Sequence, residues 1–197
     1  METIEAIKVL RQCARPEILK EFNADSCIVS TAVGVDVLTH FGIFAEPLPV
    51  RTVIFNKPYV ARIEAGSDWP KGDEIQRWQK EDGSYSVGIG VGTQQPNKWA
   101  GHLVILIEKK LLLDLSIDQA SRPKYNMNFD EPLCVEVDKA FLDGNSSLTF
   151  RHDNGCIIRT DVLKNYGYTA SPDWIFLDRR KKIIDIILDQ FPERRQR

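Results

Sequence analysis

The sequence feature that most constrains the fold is a pair of apolar segments, 101–107 and 111–115, that each carry one ionisable residue. The two segments read GHLVILI and LLLDL, and the Glu-Lys-Lys connection at 108–110 is polar. Runs rich in Leu, Ile and Val on either side of a short polar connection predict a β-hairpin. A fold built around this hairpin must bury both strands and still give His102 and Asp114 polar partners.

The length of the connection decides which side chains share a face of the hairpin. Side chains alternate between faces along a strand, so a loop at 108–110 that pairs Ile107 with Leu111 places His102 and Asp114 on one face. A loop one residue shorter would place Asp114 among the apolar side chains, where an unpaired carboxylate is costly. We therefore predict the longer loop, with the imidazole and the carboxylate diagonally offset and within reach of each other.

A cysteine stands at the predicted start of a helix upstream of the hairpin. Cys27 follows Asp25 and Ser26, which are favourable N-cap residues, and the helix is expected to end near 41–42. The unpaired N–H groups and the dipole at a helix N-terminus favour the thiolate form of a cysteine. Cys27 is therefore the cysteine that we expect to be reactive.

The remaining segments predict helices at both ends of the chain and further strands between them. Ile4, Ile7, Leu10 and Cys13 recur at helical spacing, and Arg15-Pro16 is expected to break or restart that helix. Strands are also predicted at 50–55, 59–63, 84–91, 133–137, 147–151 and 156–160. A short helix is predicted at 73–80, and a longer one begins at 171–173 with an apolar face formed from 183–191.

Charge and composition exclude several classes of function. The chain has 26 Lys and Arg against 28 Asp and Glu, a net charge of −2, so we expect neither a nucleic-acid nor a membrane partner. Residues 1–5 lack the apolar stretch of a signal peptide, and no run of about 18 apolar residues predicts a membrane span. Widely spaced cysteines in such a chain are expected to be reduced. The sequence therefore predicts one soluble, cytoplasmic domain over residues 1–197.

Cys27, His102 and Asp114 together match the requirements of thiol acyl-transfer chemistry. That chemistry needs a nucleophile at a helix start, a base on a neighbouring strand and a carboxylate that fixes the imidazole tautomer. The backbone N–H of Cys27 and, further upstream, the side-chain amide of Asn23 are the oxyanion donors that we predict. The alternative interpretation is an edge histidine and a turn aspartate that have no relation to each other.

Three stretches of the sequence resemble a known superfold. They are Asp25-Ser26-Cys27 with its helix to residue 43, Pro49-Val50-Arg51, and His102-Leu103-Val104-Ile105-Leu106 with Leu113-Asp114. These stretches resemble the papain-like superfold, in particular its transglutaminase-like and arylamine N-acetyltransferase-like branch. The resemblance covers roughly residues 20–118. It implies an α+β fold in which N-terminal helices, one of them a buried helix that carries the cysteine, pack on an antiparallel sheet.

The same resemblance implies an enzyme that forms a thioester on Cys27. Its substrate would be a peptide, an amide or another acyl compound, and the reaction either hydrolysis or transfer to an amine. The Arg-Gly-Gly-Arg approach to the cysteine of arylamine N-acetyltransferases is replaced here by residues 23–26, so we expect no coenzyme A and no other cofactor. The alternative from another class is a non-catalytic binding module on the same scaffold.

Two further motifs have features of binding sites. The glycines of 87–92 resemble a nucleotide loop, but Gln94-Gln95-Pro96 follows where a helix is required, so a strand is predicted instead. His152 and Cys156 flank Asp153-Asn154-Gly155, which is a strong turn signal, and no second pair of ligands lies at a zinc spacing. We therefore expect neither a nucleotide site nor a metal site.

Overall fold

Helices and strands alternate along most of the chain in a mixed α+β arrangement. The computed structural model describes residues 2–23, 26–91, 99–175 and 177–191. The helices are α1 (Thr3–Glu21), α2 (Cys27–His40), α3 (Lys57–Glu64), α4 (Glu74–Asp82), α5 (Lys139–Leu142), α6 (Pro172–Ile175) and α7 (Leu177–Leu188). The strands are β1 (Ala45–Phe55), β2 (Ser86–Ile89), β3 (His102–Ile107), β4 (Leu111–Asp114), β5 (Leu133–Glu136), β6 (Leu148–Arg151) and β7 (Ile157–Val162). None of the described helices combines the length and the apolar character needed to cross a membrane.

One antiparallel sheet contains all of these strands. Its order is β5-β4-β3-β1-β7-β6, and β2 also pairs with β1. The long strand β1 uses one edge twice, since its first part pairs with β3 up to Val50–His102 and its second part pairs with β2 from Thr52–Ile89 onward. Its other edge pairs with β7. The end of β2 and the start of β3 therefore lie beside each other, which places His102 at a junction in the sheet.

Both faces of the β3–β4 hairpin are buried. On one face α1, α2 and α7 cover Ile105, Ile107 and Leu113. On the other face Val104 and Leu112 pack in a separate cluster that includes Val50 and Phe141. An all-apolar environment on both sides leaves a polar side chain on this hairpin dependent on partners within the protein.

The hairpin has the predicted register. Ile107 pairs with Leu111 and Ile105 with Leu113. The connecting turn places Glu108 and Lys109 in the left-handed region, with φ of 49° and 55°. The three-residue loop is confirmed, and His102 and Asp114 share a face.

The predicted break in the N-terminal helix is wrong, because α1 continues through Pro16. A proline inside a helix removes one backbone hydrogen bond and costs about 3 kcal/mol. Tertiary contacts on both sides of the proline offset this cost, since Ala14 and Ile18 are fully buried in the core and Arg15 is held by polar partners.

The predicted strand at 59–63 is also wrong, because these residues belong to α3. The Asn56 side chain caps this helix by accepting a hydrogen bond from the Tyr59 N–H, and Pro58 occupies the first turn. The same oxygen of Asn56 accepts from the Tyr85 N–H at 2.8 Å. The cap is therefore part of a contact with β2 that lies far away in sequence. The strand predicted from residue 50 is likewise longer, since β1 begins at Ala45.

Candidate active site

Cys27 is the first residue of α2, and a buried arginine fixes the approach to it. Ser26 is the N-cap residue, but its hydroxyl does not cap the helix; it accepts a hydrogen bond from Nη1 of Arg15 at 2.8 Å. Arg15 also reaches the Ser30 hydroxyl and forms a two-pronged ion pair with Asp118, at 2.8 and 3.0 Å. Asp25, the other predicted cap residue, lies outside the described residues. Arg15 therefore connects the start of α2 to the 3₁₀ helix Ile117–Ala120.

His102 and Asp114 form a hydrogen-bonded pair that is almost completely shielded from solvent. Nε2 of His102 lies 2.6 Å from Oδ2 of Asp114, and the two side chains are 0% and 3% exposed. The second carboxylate oxygen, Oδ1, accepts from the Ser116 N–H at 2.9 Å and from the Ser116 hydroxyl at 3.3 Å. Both oxygens of Asp114 are therefore engaged, and the carboxylate is fixed in orientation.

The surroundings of His102 favour its protonated form. Burial alone would lower the pKa of His102, but the charge and hydrogen bond of Asp114, followed by those of Cys27, outweigh it and raise this pKa to about 10. Because Nε2 is bonded to Asp114, Nδ1 is the nitrogen that remains for the Cys27 thiol. Nε2 of Gln119 also lies 3.3 Å from Nδ1. The thiol, the imidazole and the carboxylate thus form one connected chain of interactions.

A surface depression of about 330 Å³ opens beside the thiol. We call it the Cys27 depression, and its lining consists of Cys27, Ile28, Val87, Gly88, Ile89, Gly90, Trp99, Gly101, Gln119, Arg122 and Asp173. Leu103 and Tyr168 pack behind the thiol, and the Thr31 hydroxyl donates to the Leu103 carbonyl at 2.8 Å. This contact holds α2 against the start of β3. Cys27 is 8% exposed, so a molecule in the depression meets a largely buried sulfur.

Two glycines allow the close packing around this junction. Gly90 has φ of +68°, and a Cβ at this position would lie 2.4 Å from the His102 backbone nitrogen. A Cβ at Gly101 would lie 2.2 Å from the Trp99 ring. Gly90 after β2 and Gly101 before β3 therefore allow the close packing beside His102. Gly92 and the segment 94–96 lie outside the described residues.

The other three cysteines have environments that stabilise the neutral thiol. Burial, assisted by the charge of Glu17, raises the pKa of Cys13. Burial also raises the pKa of Cys134, although the charge of Arg11 opposes it, and raises that of Cys156 to about 11. All of these pKa values lie above the ordinary thiol value.

The predicted oxyanion donor Asn23 does not join the other candidate residues. Its side chain is exposed and does not belong to the lining of the Cys27 depression. Gln119, which the sequence analysis missed, lies there instead and contacts both His102 and Ser116. The only sign of Gln119 in the sequence is that it is a polar residue soon after Asp114. The 3₁₀ helix that turns Gln119 back toward His102 has no clear sequence pattern.

The remaining polar candidates have local structural partners. Nδ1 of His152 accepts a hydrogen bond from the Asn154 N–H at 3.3 Å, and the imidazole packs on Phe129. Across the ranges that the structure describes, no three His, Cys, Asp or Glu residues are grouped to hold a metal ion.

Comparisons with protein-family models, with curated proteins and with solved structures find no match to this chain. The function of the site is therefore inferred from its own geometry.

Proposed function

We propose that this protein is a thiol-dependent acyl-transfer enzyme that uses Cys27 as nucleophile, His102 as base and Asp114 as orienting carboxylate. The observation that carries the proposal is the buried imidazole, bonded through Nε2 to a fixed carboxylate and interacting with a thiol beside an open depression. Strongly perturbed pKa values cluster at functional sites, and the raised pKa of His102 occurs beside a cysteine at a helix start.

The thiol proton of Cys27 passes to Nδ1 of His102 before the substrate binds, because the surroundings of His102 favour the imidazolium. The thiolate attacks the carbonyl carbon, a C–S bond forms, and the carbonyl electrons become an oxyanion. As the oxyanion collapses the C–N bond breaks, and His102 returns the proton to the leaving amine. Water or a second amine then attacks the thioester and gives its proton to His102, and breakage of the C–S bond restores the thiol. Asp114 holds the imidazole in the tautomer that accepts at Nδ1.

We propose two groups as the donors that stabilise the oxyanion. The N–H of Cys27 belongs to the first turn of α2, where backbone N–H groups have no acceptor within the helix. The side-chain amide of Gln119 lines the Cys27 depression next to His102 and supplies the second donor that we propose in place of Asn23. A protonated Nδ1 does not accept a hydrogen bond from Gln119, so the amide is free to turn to the substrate.

The arrangement also supports the papain-like resemblance as a proposal. A helix that begins with cysteine packs against antiparallel strands, and the base and the carboxylate lie on the neighbouring strands β3 and β4. In that superfold the same order of Cys, His and Asp serves peptidases, amidases and acyltransferases. Which acceptor this protein uses depends on its depression rather than on these three residues.

Alkylation of the four cysteines at a series of pH values, followed by mass spectrometry, tests the proposal. We expect Cys27 to react with iodoacetamide well below pH 7, and we expect His102→Ala to abolish this reactivity because the imidazolium no longer stabilises the thiolate. Cys13, Cys134 and Cys156 are internal controls, since their raised pKa values predict slow reaction at the same pH.

The opposite result would favour the binding-module alternative. In that result Cys27 reacts as an ordinary thiol with a pKa near about 8.5, with the same alkylation rate in His102→Ala. His102 and Asp114 then do not activate the sulfur. If the thiol is activated, product analysis with and without an added amine separates hydrolysis from transfer.

A further inference from the structure

Among the residues that the structure describes, the lining of the Cys27 depression contains one cation and one anion. Arg122 follows the 3₁₀ helix that carries Gln119, and Asp173 lies in the first turn of α6 beside α2. Neither residue takes part in the acyl-transfer steps described above. The other lining residues are apolar side chains, glycines, the Gln119 amide and the thiol. These two charges are therefore the groups best suited to select a substrate.

Arg122 is held in place before any ligand binds. Its Nη1 donates to the carbonyl of Gln119 at 3.0 Å and to that of Ser121 at 2.7 Å. Its backbone is paired with Met127 in both directions. The neighbouring carboxylate, Asp118, is taken by Arg15. Nε and Nη2 of Arg122 remain as donors, and among the described residues no carboxylate forms an ion pair with this guanidinium.

Asp173 is likewise uncompensated. Its half-buried carboxylate has no ion-pair partner in the described part of the chain. Arg180 of the following helix pairs instead with Asp36, at 3.7 Å. Arg122 and Asp173 also form no ion pair with each other, so they do not neutralise one another across the depression. Two opposite charges in the lining of one depression, neither with an ion-pair partner among the described residues, suit a molecule that carries both signs.

We propose that the Cys27 depression binds a small zwitterionic amide, a γ-glutamyl-type compound whose α-carboxylate contacts Arg122 and whose α-ammonium contacts Asp173. A volume of about 330 Å³ lies at the low end for small-molecule sites and suits one amino-acid unit. Anchoring both α-substituents leaves the side-chain amide free to extend to the thiol. The attack on that amide rests on the proposed function, whereas the binding does not.

Four 4-nitroanilides of equal chain length test the binding separately from the chemistry. γ-Glutamyl carries both charges, glutaryl only the carboxylate, 4-aminobutyryl only the ammonium, and butyryl neither. Calorimetry with Cys27→Ala measures their dissociation constants without turnover. We expect γ-glutamyl 4-nitroanilide to bind most tightly, and each missing charge to weaken binding about tenfold or more, as is typical of charged hydrogen bonds.

Variants in the Cys27→Ala background assign the charges to their residues. Arg122→Gln is expected to weaken the binding of the γ-glutamyl and glutaryl compounds about tenfold and to leave the affinity for the butyryl compound unchanged. Asp173→Asn is expected to weaken the γ-glutamyl and 4-aminobutyryl compounds by a similar factor. Lys124→Gln and Asp178→Asn are matched controls, because both residues are exposed and lie outside the lining of the depression.

The outcomes separate the two proposals. The zwitterion site is overturned by any of three results. The four compounds bind with equal affinity, none of them binds, or Arg122→Gln lowers the affinity for all four equally. If wild type releases nitroaniline from all four at similar rates and Cys27→Ala does not, the thiol chemistry stands and the substrate class is wrong. If binding is selective but wild type releases no nitroaniline, the zwitterion site stands and the acyl-transfer function is wrong for these donors.

Discussion

Replacement of Asp114 by Asn removes a charge from the buried pair without changing its shape. A His102 pKa of about 10, against the ordinary 6.5, corresponds to on the order of 5 kcal/mol in favour of the imidazolium. Asp114 is the main group that opposes the effect of burial on this pKa. Without the carboxylate charge, burial should keep the imidazole neutral at pH 7 and leave the Cys27 thiol protonated.

The hydrogen bonds predict a second effect of Asp114→Asn, on the tautomer of His102. The Ser116 N–H is a fixed donor to one carboxylate oxygen. The single oxygen of an asparagine must therefore face Ser116, and its NH₂ group must face Nε2 of His102. Nε2 then becomes an acceptor, the ring proton moves to Nδ1, and the imidazole has no lone pair left for the thiol proton.

We expect Asp114→Asn to reduce turnover on the order of 10⁴-fold, the loss caused by an incorrect tautomer in serine proteases. Turnover is measured at pH 7 as release of nitroaniline from γ-glutamyl 4-nitroanilide. The pH profile of Cys27 alkylation is measured alongside it. Alkylation should recover at pH 10, where hydroxide replaces the base, and an unchanged thermal unfolding midpoint distinguishes the effect from misfolding. Asp143→Asn, at an exposed position, is the control for the change of residue type. Turnover within threefold of wild type, used here as a rough threshold for no effect, would refute the role assigned to Asp114.

Three further predictions concern stability. The raised pKa of His102 contributes stability below pH 6.5 that is lost as the pH rises through about 10. In urea titrations at a series of pH values, the free energy of unfolding should fall by at most about 1.4 kcal/mol per pH unit. The fall should be steepest above about pH 8.5, where the cysteine thiol of the unfolded chain is also deprotonated. It should be absent in His102→Gln. Gly90→Ala should lower the free energy of unfolding by at least about 3 kcal/mol, because the added Cβ would lie against backbone atoms. Gly83 also has a positive φ but open space around it, so Gly83→Ala should lower the free energy of unfolding by only about 1 kcal/mol. Equal losses in the two glycine variants would contradict the close approach. Arg15→Met should cost about 2 kcal/mol, and Arg11→Met on the same helix less than about 0.5, because only the first ion pair is buried. A larger loss for Arg11→Met would show that burial does not decide the difference.

The sequence was sufficient where local pattern and burial point to the same answer. In the β3–β4 hairpin, a three-residue loop keeps Asp114 away from the apolar core and a two-residue loop does not, so the register followed from the cost of an unpaired charge. The start of α2 at Cys27 followed from the residues before it, although Ser26 turned out to bond Arg15 rather than the helix.

The misses have two causes. Arg15, beside Pro16, is held by Asp118, which lies 103 positions away, and Gln119 comes to His102 only through a 3₁₀ turn after the strand. No local spacing in the sequence encodes these two contacts. The helix at 59–63 does have a local start signal in Asn56 and Pro58, and the strand prediction is wrong because it ignores this signal.

The turn at 108–110 limits how the gene for this protein can change. Loops at a protein surface usually tolerate insertions and deletions. Here a codon gained or lost must be absorbed within the turn itself, because a shift carried into β4 would move Asp114 to the opposite face from His102. Length variation in this turn should therefore leave the pairing of Ile107 with Leu111 unchanged in any related enzyme that retains thiol chemistry.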